Sequence, residues 1–144
     1  MRVMVLVTAS AQSETVGWAD DPAAQAEFEA MRKFNEALID AGVMLAGEGL
    51  APTSEGKRVQ FNAGKSPSVI DGPFTEAKEL VGGYWIWQVS SMDEAVEWIK
   101  QAPFRDNTIE LRRVHEGADL ADVLPPEAVE AEAKLRQRIA EQQH

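Results

Sequence analysis

Asp71-Gly72-Pro73-Phe74-Thr75-Glu76-Ala77-Lys78-Glu79 joins a tight turn to a dense cluster of charge. An aspartate ahead of Gly-Pro can accept a backbone N–H in an Asx-type turn, glycine permits unusual φ, and proline fixes the direction in which the chain leaves. Taken alone, the stretch is a structural turn followed by a solvated charged segment, and a chemical role for Asp71 is the competing reading. The segments on either side decide which fold the turn serves.

Upstream, Arg58-Val59-Gln60-Phe61 and Ser68-Val69-Ile70 flank a turn containing Asn62 and Gly64, the pattern of a β-hairpin. Before them, Val43-Met44-Leu45-Ala46 reads as a short strand ending in Gly47-Glu48-Gly49-Leu50. Downstream, Gly83-Tyr84-Trp85-Ile86-Trp87-Gln88-Val89 carries β-formers on both faces. Ser91-Met92-Asp93-Glu94 then forms a capping box opening a helix. Ala95, Trp98, Ile99 and Ala102 give that helix its apolar stripe, and Pro103 ends it. Ile109 and Leu111 alternate with Glu110 and Arg112, as in a strand with one solvated face.

At the N-terminal end, Val3-Met4-Val5-Leu6-Val7 is apolar on both alternating faces and predicts a central strand. After the polar residues 10–20, Asp20 or Asp21 can cap a helix with Pro22 in its first turn, where a missing N–H costs nothing. Phe28, Met31, Phe34 and Leu38 recur at helical spacing, and Gly42 supplies the stop. At the other end, residues 117–124 read as an acidic connector. Pro125-Pro126 then starts a charged helix with a thin stripe of Ala128, Ala131, Leu135 and Ile139. No internal repeat or low-complexity segment is present.

The resulting order predicts an α+β fold, a ferredoxin-like split βαβ arrangement with an antiparallel sheet, two helices on one face and an extra C-terminal helix. Residues 1–115 form the domain, and residues 116–144 the connector and helix. Because the first strand and the Tyr84–Trp87 segment are apolar on both sides, the helix-free face needs a cover. A homodimer packed sheet to sheet is the expectation, with the tail helix as the competing cover.

Composition narrows the partners. The 144-residue chain carries a formal net charge of −10, which opposes binding to a phosphate backbone, so nucleic acid is not an expected ligand. No cysteine is present, which removes disulfides and thiolate chemistry and fits a reducing, cytoplasmic location. The apolar run behind Arg2 is too short for a signal peptide, and nothing approaches the ~18 to 20 apolar residues that span a bilayer. No membrane association is expected.

From Asp71 to Glu79 the chain closely resembles the YCII-related family, specifically its DGPF-type members. Supporting blocks follow in order: Gly47-Glu48-Gly49-Leu50, Gly82-Gly83-Tyr84, Asp93-Glu94-Ala95 and Ile109-Glu110-Leu111-Arg112. The resemblance spans roughly residues 1–114. It implies a dimeric α/β barrel of ferredoxin-like protomers, each with a cleft facing its partner. It also implies a biochemical role that is largely undefined, sometimes in the genomic company of extracytoplasmic-function sigma factors. For some relatives a His–Asp pair in the cleft has been suggested as the reactive group. Here the only histidines are His115 and His144, so acid–base work would fall to carboxylates.

Asp71, Glu48 and Glu76 are the candidate carboxylates, Asp71 and Glu48 being the catalytic candidates, because turns and strand ends converge at the mouth of such a cleft. Arg58 or Lys78 can hold an anionic ligand. Phe74, Trp85 and Trp87 can line an apolar pocket, with core or interface packing as the alternative for the tryptophans. Two distant histidines and scattered carboxylates form no metal-ligand spacing, so neither a metal nor a cofactor is expected. Three readings stand: binding of a small polar ligand in a cleft at the dimer interface, a small enzyme using carboxylate acid–base chemistry, or an accessory protein whose acidic tail contacts a basic partner.

Overall fold

The computed structural model describes residues 1–10, 13–14, 21–76 and 79–143. Strand β1 (Arg2–Thr8) runs through the middle of a four-stranded sheet, as its unbroken apolar run requires: Val3 and Val5 are fully buried on one face, and Met4 and Leu6 alternate onto the other. Strand β2 (Met44–Gly49) lies at one edge, and β3 (Lys57–Gln60) pairs with β4 (Ser68–Asp71) in a separate ribbon. Strands β5 (Val81–Gln88) and β6 (Ile109–Arg113) flank β1, completing the antiparallel order β2-β5-β1-β6.

Helix α1 (Pro22–Asp40) links β1 to β2, and α2 (Met92–Ile99) links β5 to β6. Each helix therefore joins two parallel strands with a third between them, which is the split βαβ unit used twice. The α+β, ferredoxin-like class predicted from element order is the one found. The caps are also where the sequence puts them. The Asp21 carboxylate accepts the Ala23 N–H at 3.0 Å, and Gly42 follows α1 with φ of 73°. Asp20, the other cap candidate, lies outside the described residues. At α2 the Ser91 hydroxyl accepts the Glu94 N–H at 3.1 Å, while the Glu94 carboxylate accepts from Ser90 at 2.7 Å, one residue ahead of the expected box partner.

Both helices cover the face that carries Val3, Val5, Trp85 and Trp87. The two indoles lie 5.6 Å apart, and Phe34 of α1 meets them edge-on at 5.8 and 6.3 Å. Burial of large side chains of this kind stabilises by roughly 1.5–3 kcal/mol each, so this aromatic cluster is the main tie between α1 and the sheet. The Trp87 indole N–H is buried without a hydrogen-bond partner among the described residues.

On the helix-free face the register sets out two rows across the sheet. One runs Glu48, Tyr84, Leu6, Glu110, and the next Ala46, Ile86, Met4, Arg112. An apolar square of Leu6, Met4, Tyr84 and Ile86 is thus bounded by charge.

Two expectations need correction. The acidic connector contains a short helix, α3 (Gly117–Ala121), because the Asp119 carboxylate accepts the Glu116 N–H at 2.7 Å and closes its first turn. Arg2 to Glu116 at 3.0 Å and Arg113 to Asp119 at 2.7 Å tie this turn to the ends of β1 and β6. The C-terminal helix α4 (Pro126–Gln142) packs against α3, and none of its residues is buried; Leu135 and Ile139 stay exposed. A stripe that thin buries too little to hold the helix on the sheet, so α4 does not cover the helix-free face.

Candidate functional site

The end of β2 and the start of β5 carry glycine where other strands carry side chains. Gly47 and Gly49 lie beside Gly82 and Gly83, so the floor beneath α1 carries no side chains at these positions. Phe28, expected in the apolar stripe of α1, is 54% exposed at the edge of this space. The space left is a cavity of about 500 Å³, within the range that holds small ligands. Phe28, Met31, Trp85 and Phe104 form its apolar wall, and Arg32, Asn35 and Glu36 bring polar groups to it, while Glu48 borders it from β2 with its side chain alternating onto the helix-free face.

Each glycine contributes differently. A Cβ on Gly47 would sit 2.7 Å from Cδ1 of Trp85, so the bare backbone is what lets the indole lie across the strand. At Gly49 a Cβ would meet nothing within 4 Å. Gly49 alternates with Gly47 onto the same face, the side of the cavity.

Asn35 is oriented by the core: its Oδ1 accepts the Trp85 indole N–H at 2.8 Å. Its amide nitrogen has no protein partner among the described residues. Arg32 donates to Glu29 at 3.0 Å and pairs with Glu36 one turn on. These contacts raise the Arg32 pKa further above its already high value, and the Arg32 hydrogen bond holds the Glu29 carboxyl below its usual range. Arg32 is therefore a permanent cation at the mouth of the cavity. Phe104 is held there edge-on to Trp85, with ring centroids 6.2 Å apart.

The Asp71-Gly72-Pro73-Phe74 turn sits elsewhere, at the root of the β3–β4 ribbon. A Cβ on Gly72 would fall 1.7 Å from the Thr53 carbonyl oxygen, an approach that only glycine allows. The Gly72–Pro73 peptide is cis. Thr53 is the hub of the turn: its hydroxyl accepts the Phe74 N–H at 3.0 Å and donates to the Glu14 carboxylate, which also accepts the Thr53 N–H at 3.2 Å. The partner of Asp71 among the described residues is the ammonium of Lys57, not a backbone N–H, because the register sets Lys57 directly opposite. Arg58 lies 3.9 Å from the centroid of the Phe74 ring.

The sequence candidates thus separate. Glu48 and Trp85 line the cavity; Asp71, Arg58 and Phe74 gather at the ribbon root; Glu76 is exposed nearby in sequence; Trp87 is fully buried in the core; and Lys78 lies outside the described residues. Arg32, Asn35 and Phe104 were not singled out from sequence. The pairs Gly47/Gly49 and Gly82/Gly83 were the available signal, since strands without side chains leave room under a helix. His115 is exposed, 3.7 Å from Asp119, and His144 lies outside the described residues. Among the described residues no group of three or more potential ligands is placed to hold a metal ion, and no helix is long and apolar enough to cross a membrane.

Comparison with known proteins adds the following. An uncharacterized protein of Rhizobium meliloti (strain 1021) is 32% identical over 62 residues, covering 43% of this chain and 49% of its own length. The chain therefore spans about half the length of that curated relative. Among solved structures, 5-chloro-2-hydroxyhydroquinone dehydrochlorinase from Burkholderia phenoliruptrix AC1100, in complex with 2,5-dihydroxybenzoquinone, is similar at a TM-score of 0.40 with 16% identity. The match covers 82% of this chain and 98% of that one. The model of the YCII-related domain matches residues 1–117, and the chain belongs to that family.

Proposed function

We propose that this YCII-related protein binds a small organic ligand in the cavity between α1 and the glycine ends of β2 and β5. The observation that carries the reading is the cavity of about 500 Å³ left open by the glycines of β2 and β5 that face α1, beneath an aromatic wall and a polar edge. The body of the ligand packs on Phe28, Trp85 and Phe104. Its polar edge meets Arg32 and the amide of Asn35, a cation and a donor that suit an acceptor or anionic group. A metabolite-library thermal-shift screen tests this: at least one compound class raises Tm, and Arg32→Gln weakens the effect by about tenfold in Kd, the ~1.4 kcal/mol of one charge-assisted hydrogen bond. No stabilising compound, or equal stabilisation of the variant, contradicts it.

A second reading, acid–base chemistry on the bound molecule, falls to Glu48, the catalytic candidate whose strand borders the cavity, its carboxylate acting from the helix-free side that it shares with Tyr84. Asp71, paired with Lys57 outside that lining, belongs in this account to the ribbon root. Turnover of a screened compound that survives Glu48→Gln unchanged would remove Glu48 from the chemistry, and a compound that binds without being turned over would remove the enzymatic reading and leave binding intact.

The apolar square on the helix-free face supports pairing of two copies face to face, which would bring Glu48 and Tyr84, present in both that face and the cavity lining, to the subunit boundary. A monomeric mass at micromolar concentration contradicts this part.

A further inference from the structure

The β3–β4 ribbon is clamped at its root and bare above it. At the root, Gly72 donates its N–H to the Gly56 carbonyl at 3.0 Å, Phe74 bonds to Thr53, and Arg58 stacks on Phe74. Above the root every residue of both strands is exposed. Val59 and Val69 are opposite each other in register, and Phe61 lies two residues on from Val59, so the three share one face. They are 53%, 62% and 80% exposed. A two-stranded ribbon alone in water is marginal, and its outer edges offer unpaired backbone groups to another chain. A clamped root fixes the direction of an arm whose apolar face has no cover among the described residues.

The charge of the arm indicates what covers it. Residues 57–71 carry Lys57, Arg58 and Lys65 against Asp71, a net of +2 on a chain of −10, so the remainder carries −12. A polyanion or an anionic bilayer drawn to the arm would meet repulsion from the body behind it, whereas the body of a second copy is itself the acidic surface that a basic arm fits. We propose that β3–β4 is an intersubunit arm whose Val59, Phe61 and Val69 face packs on the body of a second copy of this chain, reciprocally in a two-fold pair. The contact is distinct from the helix-free sheet face, although both use the same self-association. None of the three residues lines the ligand cavity, so ligand binding is read independently.

Sedimentation velocity over a concentration series compares the wild type with the triple variant Val59→Thr, Phe61→Thr, Val69→Thr. The substitutions leave a β-branched residue at each of the three positions while removing the apolar face. Far-UV circular dichroism and Tm confirm that the body of the variant is folded. The expected result is a wild-type dimer whose dissociation constant rises about tenfold or more in the variant, with faster amide exchange in residues 57–61 and 68–71. A dimer of unchanged dissociation constant in the variant overturns the arm while sparing sheet-to-sheet packing. A wild type that stays monomeric throughout overturns both. Flotation of a monomeric wild type with phosphatidylserine vesicles assigns the face to a bilayer and likewise overturns the proposal.

Discussion

Thr53 serves three partners at once: the Phe74 N–H, the Glu14 carboxylate, and the Gly72 backbone packed against its carbonyl. Thr53→Val keeps the shape and removes the hydroxyl, stranding a partly buried carboxylate and an N–H. The expected loss is ~1–3 kcal/mol in urea or thermal unfolding. Gly72→Ala places a methyl 1.7 Å from the Thr53 oxygen, so the turn must shift, at the ~1–3 kcal/mol typical of overpacking or more. An alanine variant as stable as the wild type would mean the turn does not lie on Thr53. These contacts explain what a sequence can and cannot say about Asp71-Gly72-Pro73-Phe74. That a turn stands there follows from Gly-Pro chemistry; that its glycine is required by a carbonyl 19 positions upstream depends on tertiary contact and leaves no local pattern.

At the scale of elements, strands and helices were legible wherever period and caps agreed. β1 and β5 follow from short runs of β-formers on both faces, β6 from alternation, and α1 and α2 from Asp21, Ser91 and Gly42. α3 escaped because five residues are too few to display a helical period, and its cap is an acidic pair that reads equally well as a solvated connector. That pair has a measurable signature. The Arg113 hydrogen bond, with the Glu116 N–H, depresses the Asp119 pKa from 3.8 to about 2, and the Arg2 hydrogen bond lowers that of Glu116. A depressed carboxylate contributes stability above its unfolded pKa and loses it as pH falls through the folded one. The tie between α3 and the sheet should therefore hold at pH 4 and above and fade toward pH 2. Carbon-detected NMR titration should show the Asp119 midpoint near 2, moving up toward 3.8 in Arg113→Gln while the Glu116 N–H still holds it below that value. An Asp119 midpoint already near 3.8 in the wild type would mean that the ion pair does not form in solution.

For the whole molecule, the family and the sheet order follow from sequence, but the site belongs to the space between elements. Glu48 and Trp85 were reachable as candidates because they sit on marked strands, whereas Arg32 and Asn35 are polar residues beside the apolar stripe of α1, and nothing local shows that they meet a cavity and not a packed sheet. The cavity exists because Gly47, Gly49 and Gly83 withhold side chains opposite α1, and it can be filled from the same backbone. Gly49 has a φ open to any residue and free space at its Cβ, so Gly49→Leu directs a side chain into the cavity with little cost to the fold. The most direct measurement is isothermal titration of the best compound from the thermal-shift screen against the wild type and Gly49→Leu. Unliganded Tm should match between the two proteins, and binding should weaken in the variant by about a hundredfold or more, ~2.7 kcal/mol. Equal affinity in a folded Gly49→Leu protein would place the ligand outside this cavity and contradict the account.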